Sequence, residues 1–184
     1  RTLRLLSPLP SGGDESDLDA RQRDALGVVH DRLRQLSVAV VGCGGVGSPL
    51  AEQLQRMGVG ELLLVDHDPL DTPSNVRRVF GSSTIDLAQT SPPAKVDVVG
   101  RHLDRLGLGQ TIRRIAGDVR TETVFRELLD ADVVLGATDT HGSRAVLNDL
   151  PSAYLLPVID IGTRVGAKLD GTLSGLFAEV RALT

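Results

Sequence analysis

Cysteine is nearly missing from this chain. Cys43 stands alone, which excludes an internal disulfide and any zinc site built from several thiolates within these residues. Aromatic residues are almost as scarce, at 2%, so a buried core has to be made of Val, Leu, Ile and Ala. No apolar run approaches the roughly 18–20 residues that cross a bilayer, so no membrane association is expected and a cytoplasmic location is. Excess charge of one sign is also lacking. The net charge is −4 with the basic residues scattered, a pattern that points away from nucleic acid and from anionic lipid. Even lysine is rare, with Lys95 and Lys168 set against 18 arginines. At 184 residues the chain is still long enough for one large domain with a proper core.

What is present is glycine, placed with a purpose. Residues 38–68 read VAVVGCGGVGSPLAEQLQRMGVGELLLVDHD. An apolar strand over 38–41 breaks into Gly42, Gly44, Gly45 and Gly47, a helix follows, and a second apolar strand over 62–65 ends at Asp66 and Asp68. A strand that turns through glycines into a helix presents backbone N–H groups at a positive helix terminus, where a phosphate is held. An acid at the tip of the second strand falls where a ribose hydroxyl would be bound. In this βαβ setting the spacing predicts a nucleotide site.

The rest of the chain extends the same pattern. Residues 1–18 lack periodicity and read as an arm or linker, leaving 19–184 as the domain. Residues 19–36 have Leu26, Val29, Leu33 and Leu36 at helical spacing, with Arg21 near the start. A long polar loop rich in Pro and Ser follows Asp68 and predicts no more than one short helical turn. Helices are expected over 95–106, 122–129 and 141–150, the last closed by Pro151, and strands over 111–116, 131–138 and 156–161. Gly162, Gly166, Gly171 and Gly175 then punctuate what reads as a β-meander. The fold expected is α/β: a Rossmann-like, doubly wound, mainly parallel sheet with a C-terminal antiparallel meander. Its ligand belongs at the carboxyl ends of the strands. The strand-like run from Gly175 stops abruptly at Thr184, so the natural polypeptide is expected to continue.

Gly42, Gly44 and Gly47 with Asp66 also fit an NAD(P)-dependent oxidoreductase. Two features pull toward a metal-bound triphosphate. Asn75, Arg78 and Lys95 supply more cationic and polar equipment than a diphosphate on a helix terminus requires. Asp139, at a strand end, offers a carboxylate to Mg²⁺, or caps the helix that follows, or both. No histidine pair has metal-ligand spacing, no Ser/His/Asp set stands out, and Cys43 reads as a small packed residue. A domain that binds nucleotide or a partner without chemistry remains a third reading.

Together, GxGGxG, DxD, SNxxR, a lysine and a strand-end TD resemble the ThiF/MoeB branch of the ubiquitin-activating-enzyme superfamily, over residues 21–184. The resemblance implies adenylylation, with ATP and Mg²⁺, of the C-terminal glycine carboxylate of a ubiquitin-like or sulfur-carrier protein ending in Gly-Gly. It implies a glycine loop at Gly42, Gly44, Gly45 and Gly47, a ribose acid at Asp66, and nucleotide ligands at Asn75, Arg78 and Lys95. It also implies a magnesium aspartate at Asp139, and Arg21 reaching the ATP of a partner subunit in a homodimer. The chain departs from the family pattern in three ways. Asn75 lies one residue further from Asp66, SPPAK lacks the usual glycine before Lys95, and the catalytic cysteine of some members is absent. A structural zinc would need paired CxxC motifs in an extension beyond Thr184.

Overall fold

A computed structural model describes residues 17–168 and 170–184. The arm expected over residues 1–18 lies outside the described residues except for its last two, which open a 3-10 turn, Asp17–Asp19. Six strands form one sheet in the order β3-β2-β1-β4-β5-β6: β1 Ser37–Val41, β2 Glu61–Asp66, β3 Thr111–Ala116, β4 Val133–Gly136, β5 Val158–Ala167 and β6 Leu173–Leu183. All neighbours pair in parallel except β5 and β6, which are antiparallel. The chain order reverses between β1 and β4, and that crevice is where doubly wound sheets place their ligands.

Helices coat both faces because the central strands are apolar on both sides, as buried parallel strands are. In β1, Val38 and Val40 point to one face and Ala39 and Val41 to the other, following the two-residue period of a strand. The first face is covered by α3 (Gly47–Arg56) and α6 (Lys95–Leu106), through Ala51, Val96, Val99 and Leu103. The second is covered by α7 (Glu122–Leu128) and α8 (His141–Tyr154), through Val124, Leu128, Leu147 and Leu150. α6 stops at Gly107, which takes the left-handed conformation at φ 64° that glycine adopts without steric cost. No helix among the described residues is long and apolar enough to cross a membrane.

Four local expectations change. The helix expected over 19–36 is two: α1 (Ala20–Leu26) and α2 (Val28–Leu33), broken at Gly27, whose φ of +54° and ψ of −129° no helix accepts. The Pro/Ser-rich segment holds two short helices, α4 (Pro73–Val76) and α5 (Thr84–Leu87). α5 forms because Ser83 and Asp86 make a reciprocal capping box, and Arg101 on α6 anchors Asp86 at 2.5 Å. α8 runs past Pro151 to Tyr154. The proline falls in the last turn, and its own carbonyl still accepts the Leu155 amide at 3.0 Å.

The fourth change is at the C-terminus, where the antiparallel portion is a single hairpin. Gly162, Gly166 and Gly175 lie within its strands, and only Gly171, at φ +82°, serves the turn. β5 pairs with β4 only through Val158, Ile159 and Asp160, so most of the ribbon runs on alone with Val165, Leu176 and Val180 exposed.

Leu64 is wholly buried in β2, at the centre of the face shared by α3 and α6. Leu64→Ala is expected to lower unfolding free energy by about 2–5 kcal/mol, the usual cost of a leucine cavity in a packed core. Urea titration followed by circular dichroism measures it, and a loss below about 1 kcal/mol would contradict this packing.

Candidate active site

The carboxyl ends of β1, β2 and β4 form one edge, and most of the residues singled out in the sequence converge on it. Gly42 leaves β1 at φ +95°, and its amide donates to the Val65 carbonyl at 2.7 Å. A side chain there would meet the Ala137 carbonyl at 2.6 Å, in the loop after β4. A Cβ at Gly47 would lie 1.7 Å from the Gly42 carbonyl oxygen. The turn closes on itself only because both residues lack a side chain. Gly44 differs, since nothing lies within 4 Å of its missing Cβ. It leaves open space beside the start of α3.

Asp66 ends β2 and is buried. Its Oδ2 accepts the Cys43 amide at 2.6 Å and its Oδ1 accepts the Asp68 amide at 2.8 Å. The carboxylate therefore pins the glycine turn to the end of β2. A carboxylate has about four acceptor positions, so two remain for a ligand hydroxyl. Cys43, wholly buried beneath, has its thiol pushed well up by burial and by the negative Asp66. It is a packing residue, not a nucleophile.

The segment carrying Asn75 and Arg78 is folded down onto the glycine turn. Arg78 Nη2 donates to Asn75 Oδ1 at 2.8 Å, which holds the guanidinium in one place, and Arg78 Cβ sits 3.4 Å from where Gly45 would carry a side chain. Ser48, in the first turn of α3, latches the two segments. Its hydroxyl donates to the Gly44 carbonyl at 2.7 Å and accepts the Phe80 amide at 3.1 Å.

Lys95 opens α6, is buried, and places Nζ 2.6 Å from Asp68 Oδ2. The ammonium holds the Asp68 carboxyl below its usual range, helped by His67. The backbone closes the same contact: Lys95 N donates to Asp68 O at 3.0 Å, and Leu70 N to Pro93 O at 2.8 Å. The long segment thus leaves and returns at one point.

Asp139 follows β4 on the other side of the glycine turn from Asp66. β1 lies between the two strands that precede them. Asp139 does not cap α8. Thr140 does, accepting the Ser143 amide at 3.3 Å. Asp139 is exposed and, among the described residues, makes no hydrogen bond or ion pair. Its neighbour Thr138 has a buried hydroxyl with no partner, while its carbonyl is held by Arg144 Nε at 3.1 Å. Another cluster with metal-ligand chemistry, Asp66, His67 and Asp68, is already committed: Asp66 to two amides, Asp68 to Lys95.

Arg21 is not brought to this edge. α1 is tied to the far end of α3, where Gln22 Nε2 donates to the Arg56 carbonyl at 2.5 Å, and Arg21 is exposed. α3 has 10 residues, so it separates the two ends by about 15 Å. Ser48 and Asp68 are the members that sequence reading did not assign. Ser48 could have been found from a hydroxyl in the first turn after the glycines, and Asp68 from the DxD pattern. A cleft of about 480 Å³ between β3 and α7, lined by Arg113, Val124 and Glu127, and one of about 560 Å³ beside Pro151 and Leu183, both lie away from the glycine turn.

The ThiF family model matches residues 20–173. Ubiquitin-like modifier-activating enzyme 5 of Aedes aegypti is 32% identical over 157 residues, covering 79% of this chain and 38% of that protein. Adenylyltransferase and sulfurtransferase UBA4 of Kluyveromyces lactis is 29% identical over 178 residues, covering 95% of this chain and 38% of that protein. The chain thus spans well under half the length of these relatives. Among solved structures, E. coli MccB with ATP superposes with a TM-score of 0.69 at 23% identity, over 82% of this chain and 45% of that one. E. coli TcdA, a tRNA N6-threonylcarbamoyladenosine dehydratase in complex with AMP, does so with a TM-score of 0.69 at 19% identity, over 84% of this chain and 68% of that one. At such identities the superpositions establish the fold.

The two glycines make separable predictions. Gly47→Ala drives a methyl into backbone and is expected to cost about 3 kcal/mol or more of stability. Gly44→Ala meets nothing and should change stability by less than about 0.5 kcal/mol, yet abolish nucleotide binding by filling the space a phosphate needs. Thermal melts and ATP titrations of both variants check this. Normal ATP affinity in the Gly44 variant would contradict a phosphate beside that turn.

Proposed function

The chain belongs to the ThiF family, and on that premise we propose that it is the ATP-dependent adenylyltransferase domain of an activating enzyme whose substrate is the C-terminal glycine carboxylate of a ubiquitin-like or sulfur-carrier protein. The supporting observation is the composition of one strand-end edge. A glycine turn with open space at Gly44 lies under a guanidinium fixed by Asn75, and beside it stands an Asp139 carboxylate with no partner among the described residues. An NAD site calls for the first of these features but not for the other two. The relatives' names point the same way, as adenylyltransferases and modifier-activating enzymes.

In the proposed reaction a carboxylate oxygen of the substrate attacks the α-phosphorus of ATP. An acyl–phosphate bond forms, the bond between the α-phosphorus and the bridging oxygen breaks, and pyrophosphate leaves with that electron pair. Two anions must meet, so the protein's task is positioning and positive charge, as in other phosphoryl-type transfers. No general base is needed, because a glycine carboxylate is already ionised at neutral pH. Gly42, Gly44, Gly45 and Gly47 receive the phosphates, Asp66 a ribose hydroxyl, and Asn75, Arg78 and Lys95 the phosphate oxygens. Lys95 is paired with Asp68, so phosphate binding draws on a cation already held in place. Asp139 fits a Mg²⁺ ligand because its carboxylate is free of capping duty. The ion would supply charge neutralisation at the phosphates.

Arg21 belongs in this scheme only across an interface. It stands at the far end of α3 from its own glycine turn, so its proposed phosphates are those of a second copy, in a homodimer with two composite sites.

Partner-stimulated ATP–pyrophosphate exchange by the full-length protein tests the reading. Arg78→Ala and Asp139→Ala should each lower exchange about 10²-fold or more, the scale of a lost transition-state charge contact. Mixing Arg21→Ala with Asp139→Ala protein should restore about one working site per heterodimer. Unchanged exchange in the Arg78 variant would remove the charge argument. No recovery in verified heterodimers would remove the composite site.

A further inference from the structure

Arg78 can act on a phosphate only if the segment carrying it is held still; Val79 is buried in the core and Asn75 holds the guanidinium, while the turn that follows leans on other elements. α4 beside it is four residues long, and Phe80 at its end is 41% exposed. Phe80 and Gly81 are held in addition by a clamp between α3 and α6. On α3, Ser48, Glu52 and Arg56 recur at the four-residue interval that aligns side chains along one helix face. Ser48 takes the Phe80 amide at 3.1 Å. One turn on, Glu52 Oε2 lies 2.8 Å from His102 Nε2 of α6. Arg56 Nη2 reaches Glu52 Oε1 at 2.7 Å, fixing the carboxylate from the other side.

The imidazole so held is the floor of the turn. Gly81, at φ +78°, rests on it so closely that a Cβ there would be 2.3 Å from His102 Cβ and 2.7 Å from its Cγ. The Phe80 ring meets the imidazole edge-on, with centroids 6.3 Å apart and planes at 88°. The charged groups around the contact are Glu52 and Arg56 of α3. The Glu52 carboxyl is held below its usual range, chiefly by the hydrogen bond from His102, so an acceptor for the imidazole is present at neutral pH.

We propose that His102 is a positioning residue for Arg78. Braced by Glu52, it fixes the Phe80–Gly81 turn and thereby sets the guanidinium over the glycine turn. The proposal rests on the nucleotide reading of the site. It assigns an α6 residue, far from any glycine motif, an effect on nucleotide affinity exerted through one named arginine.

The test is ATP·Mg²⁺ affinity of the full-length protein by calorimetry, in a double-mutant cycle, which isolates coupling between two residues. His102→Ala should weaken binding about tenfold, which corresponds to about 1.4 kcal/mol. His102→Gln, which can keep a donor to Glu52, should stay within about threefold of the unsubstituted protein. In an Arg78→Ala background, His102→Ala should cost less than about twofold, because its route is already cut. Glu52→Ala, which leaves α6 untouched, provides a second variant and should weaken binding about threefold. Equal losses in both backgrounds, or unchanged affinity in His102→Ala and Glu52→Ala, would overturn the positioning role while leaving the nucleotide site intact. Failure of the unsubstituted protein to bind ATP·Mg²⁺ would overturn the nucleotide reading itself and the proposal with it.

Discussion

The Asp66 carboxylate is the contact on which the strand-end edge depends. Buried at the tip of β2, it accepts one amide from the glycine turn and one from the segment that departs toward Arg78. Charge-assisted bonds from backbone N–H groups are stronger than neutral ones, and leaving such buried donors unsatisfied is costly. The turn after β1 and the departure after β2 are therefore fixed relative to each other before any ligand arrives. The close approach of Gly47 to the Gly42 carbonyl completes the lock. Everything further out is placed by reference to it: Arg78 over Gly45, the Ser48 latch, and the Ala137 carbonyl against Gly42.

Around that fixed centre the charges are arranged with one conspicuous gap. The Lys95 ammonium is matched by Asp68 and Arg78 is held by an amide oxygen, so both are preorganised without being fully neutralised by burial. Asp139 is exposed and has no partner among the described residues, which is what the proposed metal role needs of it. Proximity to preset charge contributes more to phosphoryl chemistry than any single acid or base. The proposed reaction therefore asks for neither a catalytic histidine nor a reactive thiol at this edge.

How much of this was legible in the sequence differs by scale. The βαβ core was, because Val38–Val41 and Leu62–Val65 are unbroken apolar runs separated by glycines and a helix-length segment. The placing of Gly42, Asp66 and Asp139 at strand ends followed from the alternation of strands and helices, whereas Asn75, Arg78 and Lys95, in or after a long polar loop, were tied to the same edge by the family resemblance. Boundaries were less legible. Leu26, Val29, Leu33 and Leu36 keep helical spacing straight through Gly27, so periodicity could not register a break set by backbone dihedrals. Pro151 reads as a stop, yet α8 gives up one amide donor there and continues for three residues, its last turn closed by the Leu155 amide on the Pro151 carbonyl. The capping box Ser83–Asp86 was written in the sequence and marks α5. The Glu52–His102 contact was not, since two helices separated by a long polar segment give no spacing rule linking them. Arg21 remained ambiguous for a related reason: its setting depends on which end of α3 receives α1, a tertiary matter.

The fold is shared with solved structures of different printed activity, a dehydratase among them, so the fold does not choose the nucleotide; in the proposed reading the residues at the strand ends do. The most direct measurement of that choice is a pair of thermal melts of the full-length protein, one with ATP·Mg²⁺ and one with NAD. Ligand present at 100 times its dissociation constant stabilises by about 2.7 kcal/mol, a shift readily seen. The account predicts that ATP·Mg²⁺ raises the melting temperature and that NAD leaves it unchanged. A rise with NAD and none with ATP·Mg²⁺ would contradict it.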